Sequence, residues 1–186
     1  MLPRPSAPAA GLLFCIALAG CSATPPPPAS LPPLLESIEQ RLAIADQVAL
    51  SKWDSGQNIE DSTRERQVIA QAVALAPRYR LSEEAAAGFF ADQIEANKMV
   101  QQALLSKWHA VGQAPDVPRA DLRRDIRPRL DQLQHRLLQQ LAEFSPHRRD
   151  PACPGWLANA EHNRHSSPAH AQAMIRAQKL LCINGQ

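Results

Sequence analysis

Two cations lie on an otherwise apolar stripe of a helix predicted near the start of the chain. Positions three and four residues apart share one side of an α-helix, and this side collects Leu34, Ile38, Arg41, Ala45, Val48 and Lys52. Arg41 and Lys52 are about 16 Å apart along such a helix, so we expect them at opposite ends of a pocket. Ala45 and Val48 would form its floor.

Amides interrupt the apolar face of another predicted helix. Its stripe reads Phe90, Ile94, Asn97, Gln101, Leu104 and Trp108. Buried amides need hydrogen-bond partners. A third polar group, residues 61–66 (DSTRER), lies where a helix is expected to begin, and charges there are typical of a solvated helix end.

Together these positions place cations and amide donors on the inner faces of neighbouring helices, which suits a small dianion. Each also has an ordinary explanation. Arg41 and Lys52 could reach solvent from the stripe edge, and Asn97 and Gln101 could bond to each other or to a backbone carbonyl. The sequence shows no Ser-His-Asp or Cys-His set and no glycine-rich phosphate loop.

The composition predicts an all-α fold, a single helical-bundle domain of about six helices. Of 186 residues, 45% are hydrophobic but only 4% aromatic, and seven are glycine; helix formers dominate after residue 33. A net charge of +2 is too balanced for a nucleic-acid partner. The predicted helices span residues 34–53, 61–76, 82–111 and 122–144, with two shorter ones after residue 155. Pro128 predicts a kink, or a helix that begins near Arg127.

The N-terminus has the pattern of an export signal, residues 1–21. Its apolar stretch, residues 9–19, is too short to span a bilayer. Leu18-Ala19-Gly20-Cys21 resembles a bacterial lipoprotein signal, and we favour lipidation of Cys21 over cleavage after Ala19, because an unpaired cysteine there otherwise lacks a purpose. We therefore expect a periplasmic protein whose membrane contact is a lipid anchor at Cys21. Residues 22–33 are predicted to be an extended proline-rich linker, and residues 34–186 the helical domain.

Export also bears on the remaining cysteines. Cys153 and Cys182 would meet in an oxidising compartment, which favours a C-terminal disulfide. It would close a loop of about 30 residues and stabilise the fold by about 3 kcal/mol. A zinc site that adds His162, His165 and His170 is the alternative, but their spacing matches no standard pattern, and no metal is expected.

In chain order, the polar positions resemble the active-site pattern of the AroQ-type chorismate mutases, in particular their exported (periplasmic, gamma) subclass. The pattern comprises Arg41, Lys52, Asp61-x-x-Arg64-Glu65, Asn97 and Gln101. It runs without a gap within residues 34–110 and more loosely to the end. The subclass also has a secretion signal, extra C-terminal helices with a disulfide, and a further arginine on a later helix, where Arg127 lies here.

The resemblance implies the conversion of chorismate to prephenate by an intramolecular Claisen rearrangement, which needs no cofactor. It implies that Arg41, Arg64 and Arg127 bind the two carboxylates of the substrate. Lys52 would reach a carboxylate and the ether oxygen, and Gln101 would donate to that oxygen from the other side.

The resemblance also implies that Glu65, with backbone near Asp61, accepts from the ring hydroxyl, while Asp61 mainly positions its neighbours. Asn97 would be a carboxylate ligand, although relatives often have serine or threonine there. Some relatives carry glutamate in place of Gln101. Because glutamine donates at any pH, activity is expected to be nearly flat across neutral pH.

Two other functions stay open at this point. Isochorismate-pyruvate lyases share the fold and much of the pocket, and a non-catalytic helical envelope lipoprotein could keep the fold alone. A homodimer is also open, since relatives are often dimers, but a site complete within one chain does not require one.

Overall fold

In the computed structural model, every regular element of the described residues, 25–162 and 167–183, is helical. The six α-helices are α1 (Leu31–Ser55), α2 (Ser62–Leu75), α3 (Glu83–Val111), α4 (Arg127–Phe144), α5 (Cys153–His162) and α6 (Pro168–Ala177). The all-α prediction is confirmed. The signal prediction, with Cys21, and His165 lie outside the described residues. Within them, no helix is long and apolar enough to cross a membrane.

Helix α1 begins three residues earlier than predicted. The linker was expected to extend to residue 33, but the helix starts at Leu31, and Pro32 and Pro33 occupy its first turn. Proline is tolerated there because the first N–H groups of a helix have no acceptor within it. Leu31 is buried, so residues 31–33 belong to the folded domain.

The linker itself is attached to the domain. The indole Nε1 of Trp156, in α5, donates a hydrogen bond of 2.7 Å to the carbonyl of Pro25. Trp156 is buried, and its ring lies 6.5 Å from that of His147. The chain thus enters the domain alongside α5.

The predicted fourth helix, residues 122–144, consists of two elements. A π-helical turn at Leu122–Ile126 follows the N-cap Asp121, whose carboxylate accepts from the backbone N–H groups of Arg123 and Arg124. Helix α4 then begins at Arg127 with Pro128 in its first turn. The alternative prediction, a helix that starts near Arg127, is therefore correct. The turn before it is π-helical, with hydrogen bonds between residues five positions apart.

Helices α1 and α3 run parallel, because residues about 55 positions apart meet along both. Asn97 contacts the backbone of Arg41, and the rings of Trp53 and Trp108 pack edge to face at 6.1 Å. Helix α4 runs antiparallel to α1, since Arg136 bonds Gln40 while Arg127 lies near Lys52. Fully buried side chains fill the half of the bundle near the start of α1, among them Leu34, Ile38, Phe89, Phe90, Leu137, Leu141 and Phe144.

The predicted disulfide is present. Cys153 and Cys182 are bonded at 1.98 Å, with their Cα atoms 5.8 Å apart. The bond ties the start of α5 to the chain that follows α6. Both thiols of the alternative zinc site are thereby consumed.

Candidate active site

Four helices place their polar residues around a cavity of about 120 Å³ in the other half of the bundle. All the residues predicted to bind a ligand line it, namely Arg41, Lys52, Asp61, Arg64, Glu65, Asn97, Gln101 and Arg127. Arg41, Asn97 and Gln101 lie in the middle turns of α1 and α3, and Lys52 lies in the last turn of α1. The other residues come from the first turns of α2 and α4, with Asp61 at the N-cap of α2. The structure therefore brings the complete predicted set together within one chain.

Arg41 is the most buried cation of the cavity, with 5% of its surface exposed. Its Nε has no hydrogen-bond partner in the described chain, and its guanidinium lies 5.9 Å from the centre of the Phe90 ring. Burial, followed by repulsion from Arg64, lowers the pKa of Arg41 to about 10. The side chain is still charged at neutral pH, so the cavity holds a desolvated cation that an anionic ligand would neutralise.

The amides of α3 form a short hydrogen-bonded chain. Gln101 Nε2 donates to Asn97 Oδ1 at 2.8 Å, and Asn97 Nδ2 donates to the backbone carbonyl of Arg41 at 3.2 Å. Asn97 and Gln101 therefore bond to each other and to a backbone carbonyl, as the alternative explanation from the sequence proposed. This also means that the Gln101 carboxamide is fixed in orientation, with its second N–H free to donate.

Lys52 lies at the cavity edge and is partly exposed. Its ammonium donates to the carbonyl of Asn58, in the loop between α1 and α2. Burial is the main cause that lowers the pKa of Lys52, opposed by Asp61 and Glu65 and assisted by Arg127. The loop carbonyl therefore holds the Lys52 ammonium at the edge of the cavity.

Asp61 and Glu65 cap the start of α2 reciprocally. The Asp61 carboxylate accepts from the backbone N–H of Arg64 at 3.0 Å, and the Asp61 N–H donates to Glu65 Oε1 at 3.2 Å. Such caps fix the first turn of a helix. Arg64, in that turn, also pairs with Asp131 at 3.0 Å, which ties α2 to α4.

Three polar lining residues were missed from the sequence: Lys98, Asp131 and Gln134. The stripe that begins at Arg127 continues through Asp131 and Gln134 at helical spacing, and Lys98 follows Asn97 directly. Extending the stripe of Arg127 would have found the two residues of α4. Gln134 is buried, with its Nε2 3.4 Å from the carbonyl of Val68.

The predicted cavity floor is half correct. Val48 lines the cavity, together with the aliphatic residues Ile59, Val68, Ile94, Leu122 and Leu130. Ala45 does not line it; its side chain is fully buried in the main core. Residues on one side of a helix can contact different neighbours. Arg41 and Val48 face the cavity, whereas Ala45 packs against the core.

The lining carries an excess of positive charge. Five cationic side chains and three acidic ones surround the cavity, which leaves two positive charges in excess. An excess of this size matches a small molecule with two carboxylates, and the aliphatic walls suit an apolar ring between them. Within the described residues, no cluster of His, Cys, Asp or Glu could hold a metal ion.

The fold and the cavity define the class of protein, an all-helical bundle with a cationic internal pocket for a small dianion. Comparison with known proteins narrows this class. Residues 33–102 match the family model of chorismate mutase type II. The secreted chorismate mutase of Mycolicibacterium smegmatis is 31% identical over 153 residues, which cover 76% of this chain and 81% of that protein. The secreted chorismate mutase of Mycobacterium tuberculosis is 27% identical over 155 residues, 80% and 76% of the two chains.

Solved structures agree with the sequence comparisons. The crystal structure of chorismate mutase from Burkholderia phymatum superposes with a TM-score of 0.79 at 42% identity, covering 83% of this chain and 97% of that one. The chain belongs to the chorismate mutase type II family. Both mycobacterial relatives are named secreted, which supports export of this chain.

We expect the buried charge of Arg41 to reduce the stability of the fold. Its pKa shift corresponds to about 3 kcal/mol against the charged form. Arg41→Met keeps the length of the side chain without the charge, so it should raise the free energy of unfolding by about 1–3 kcal/mol while abolishing ligand binding. Urea unfolding at pH 7 measures the change.

Arg129→Met is the matched control, because Arg129 is exposed on the first turns of α4. Its stability should stay within about 0.5 kcal/mol of the parent. Destabilisation by Arg41→Met beyond that of the control would show that Arg41 supports the fold.

Proposed function

We propose that this chain is an exported chorismate mutase that acts by conformer selection and electrostatic stabilisation. In the Claisen rearrangement one C–O bond of chorismate breaks as one C–C bond forms, within a single molecule. Neither a nucleophile nor a cofactor is required, so the protein must hold the compact reactive conformer and stabilise charge on the ether oxygen. The cavity's two excess positive charges, distributed around an aliphatic interior, carry this proposal.

The carboxylates are assigned to the arginines. Arg41 and Arg64 lie close enough to repel each other, so a shared carboxylate would reduce that repulsion. Arg127 lies beside Lys52 and also depresses its pKa, and we assign the second carboxylate to this pair. Asn97, bonded to the Arg41 carbonyl, is placed to assist at the first carboxylate.

The ether oxygen is assigned to Lys52 and Gln101. Both line the cavity. One N–H of the Gln101 carboxamide donates to Asn97, and the other can donate to a ligand. A donor fixed before the reaction costs no reorganisation when negative charge develops. The ring hydroxyl is assigned to Glu65, whose carboxylate Asp61 helps to orient.

All of these residues come from one chain, so the proposed activity does not require a dimer.

The N-terminal signal is proposed to direct the protein to the periplasm and to leave lipidated Cys21 as the first residue. The mass of the mature N-terminus checks this, since a lipidated cysteine and an unmodified residue after cleavage at Ala19 differ by several acyl chains. An unmodified N-terminus would rule out the anchor.

The activity itself is tested with residues 22–186, which retain every described helix. We expect this chain to convert chorismate to prephenate, and Lys52→Ala to lower kcat/KM by about 10²–10³ because a donor to the developing charge is lost. Disappearance of chorismate and appearance of prephenate are followed by absorbance. Lys179→Ala, which removes an exposed lysine after α6, should be as active as the parent.

Two outcomes would contradict the proposal. Folded protein without a rate above background would exclude mutase activity. Faster release of pyruvate from isochorismate than rearrangement of chorismate would assign the chain to the lyases instead.

The identity of residue 101 predicts the pH dependence. A glutamine donates at any pH, so the parent should be nearly flat through neutral pH and lose activity only at alkaline pH, as Lys52, with its lowered pKa, gives up its proton. Gln101→Glu must be protonated to donate, so it should be active in acid and fall by about 10²–10³ toward neutral pH. Profiles of kcat/KM from pH 4 to 10 test both. A steep acid-to-neutral loss in the parent would remove Gln101 from this role.

A further inference from the structure

Lys98 lies at the cavity wall and bonds a proposed substrate ligand. Its ammonium is 3.2 Å from Glu65 Oε2 and 2.6 Å from Glu95 Oε1. Lys98 and Glu65 each have only 22% of the side chain exposed, whereas Glu95 has 46%. The bond to Glu65 is therefore the better shielded of the two, and it joins α3 to the first turn of α2 across the edge of the cavity.

The Glu65 carboxylate is thereby held at both oxygens. Oε1 accepts from the backbone N–H of Asp61 and Oε2 accepts from Lys98. An ionised carboxylate has about four acceptor positions, so two remain for a ligand. Two donors from different helices fix the plane of the carboxylate, which a single donor would not do.

The charge of Lys98 also offsets that of Glu65. A free carboxylate at the wall would repel a dianion, and at short range in a poorly solvated site such repulsion is substantial. Burial alone would lower the pKa of Lys98, but its hydrogen bonds to Glu95 and Glu65 outweigh this and raise the pKa. Lys98 is consequently charged at neutral pH.

We propose that Lys98 is a positioning residue that presents Glu65 to the ring hydroxyl of chorismate. This role rests on the proposed function and deepens it, because Glu65 and Lys98 together would recognise the hydroxyl. The pair would favour a substrate whose hydroxyl lies opposite Glu65 over an isomer that carries it on another ring carbon. In this role Lys98 contacts Glu65 and acts on the substrate only through it.

A double-mutant cycle separates this role from direct binding of a substrate carboxylate by Lys98. The variants are Lys98→Met, Glu65→Gln and the two combined, in residues 22–186, with kcat and KM measured for chorismate. Lys98→Met should raise KM by about tenfold with a smaller change in kcat, and the combined variant should be no worse than Glu65→Gln alone, because contacting residues are not additive. Lys98→Arg keeps the charge and the reach, and should recover most of the parent's KM.

Lys107→Met is the matched control, since Lys107 is exposed on the same helix. It should leave KM and kcat unchanged. Thermal melting confirms that each variant is folded, and Lys98→Gln replaces Lys98→Met if the methionine variant does not fold.

Three results would overturn the role of Lys98. An equal loss from Lys98→Met with and without Glu65 would mean that Lys98 acts on the substrate independently. Parent-like kinetics of Lys98→Met would reduce the pair to a surface ion pair of little consequence. Inactivity of the parent toward chorismate would instead refute the proposed function, and this role with it.

Discussion

The cavity is organised around Arg41, a buried guanidinium to which no carboxylate of the described residues is bonded. Arg41 is embedded in α1 between the apolar core and the cavity, and its pKa records the cost of desolvation. The neighbouring core must offset that cost, and it includes Phe90, whose fully buried ring lies 5.9 Å from the guanidinium. The backbone carbonyl of Arg41 also accepts a hydrogen bond from Asn97, which in turn accepts one from Gln101.

Around this residue the cavity is built from two kinds of helix segment. Arg41, Asn97 and Gln101 lie in the middle turns of α1 and α3, two long helices with buried residues along their length. The first turns of α2 and α4 depend on local hydrogen bonds instead, such as the reciprocal cap of Asp61 and Glu65. The ion pair of Arg64 with Asp131 joins α2 to α4, and the bond of Lys98 to Glu65 joins α2 to α3. Capping, usually a matter of helix stability, thus also sets the position of binding groups.

Much of this arrangement was predictable because helical periodicity is a local property. Stripes along single helices identified Arg41, Lys52, Asn97 and Gln101, and the family pattern added Arg127. Lys98 was missed because its partner Glu65 lies 33 positions away in the sequence. Asp131 shares the helical stripe of Arg127, which could have indicated it, whereas its partner Arg64 lies 67 positions away. Taken alone, both resemble ordinary surface charges. Ala45 was placed in the cavity because one stripe does not reveal which neighbour it faces. The linker was predicted too long because prolines in a first helical turn look like breakers in a sequence.

The hydrogen bond from Trp156 to Pro25 has a consequence for access to the cavity. It holds the entering chain at the end of the bundle where α1 begins, whereas Lys52 lies about 31 Å further along that helix. Pro25 therefore lies near the pole of the domain opposite to Lys52. Attachment of the domain to a solid support at that pole would keep the support away from Lys52 and the cavity edge, so that pole is the suitable one for immobilisation.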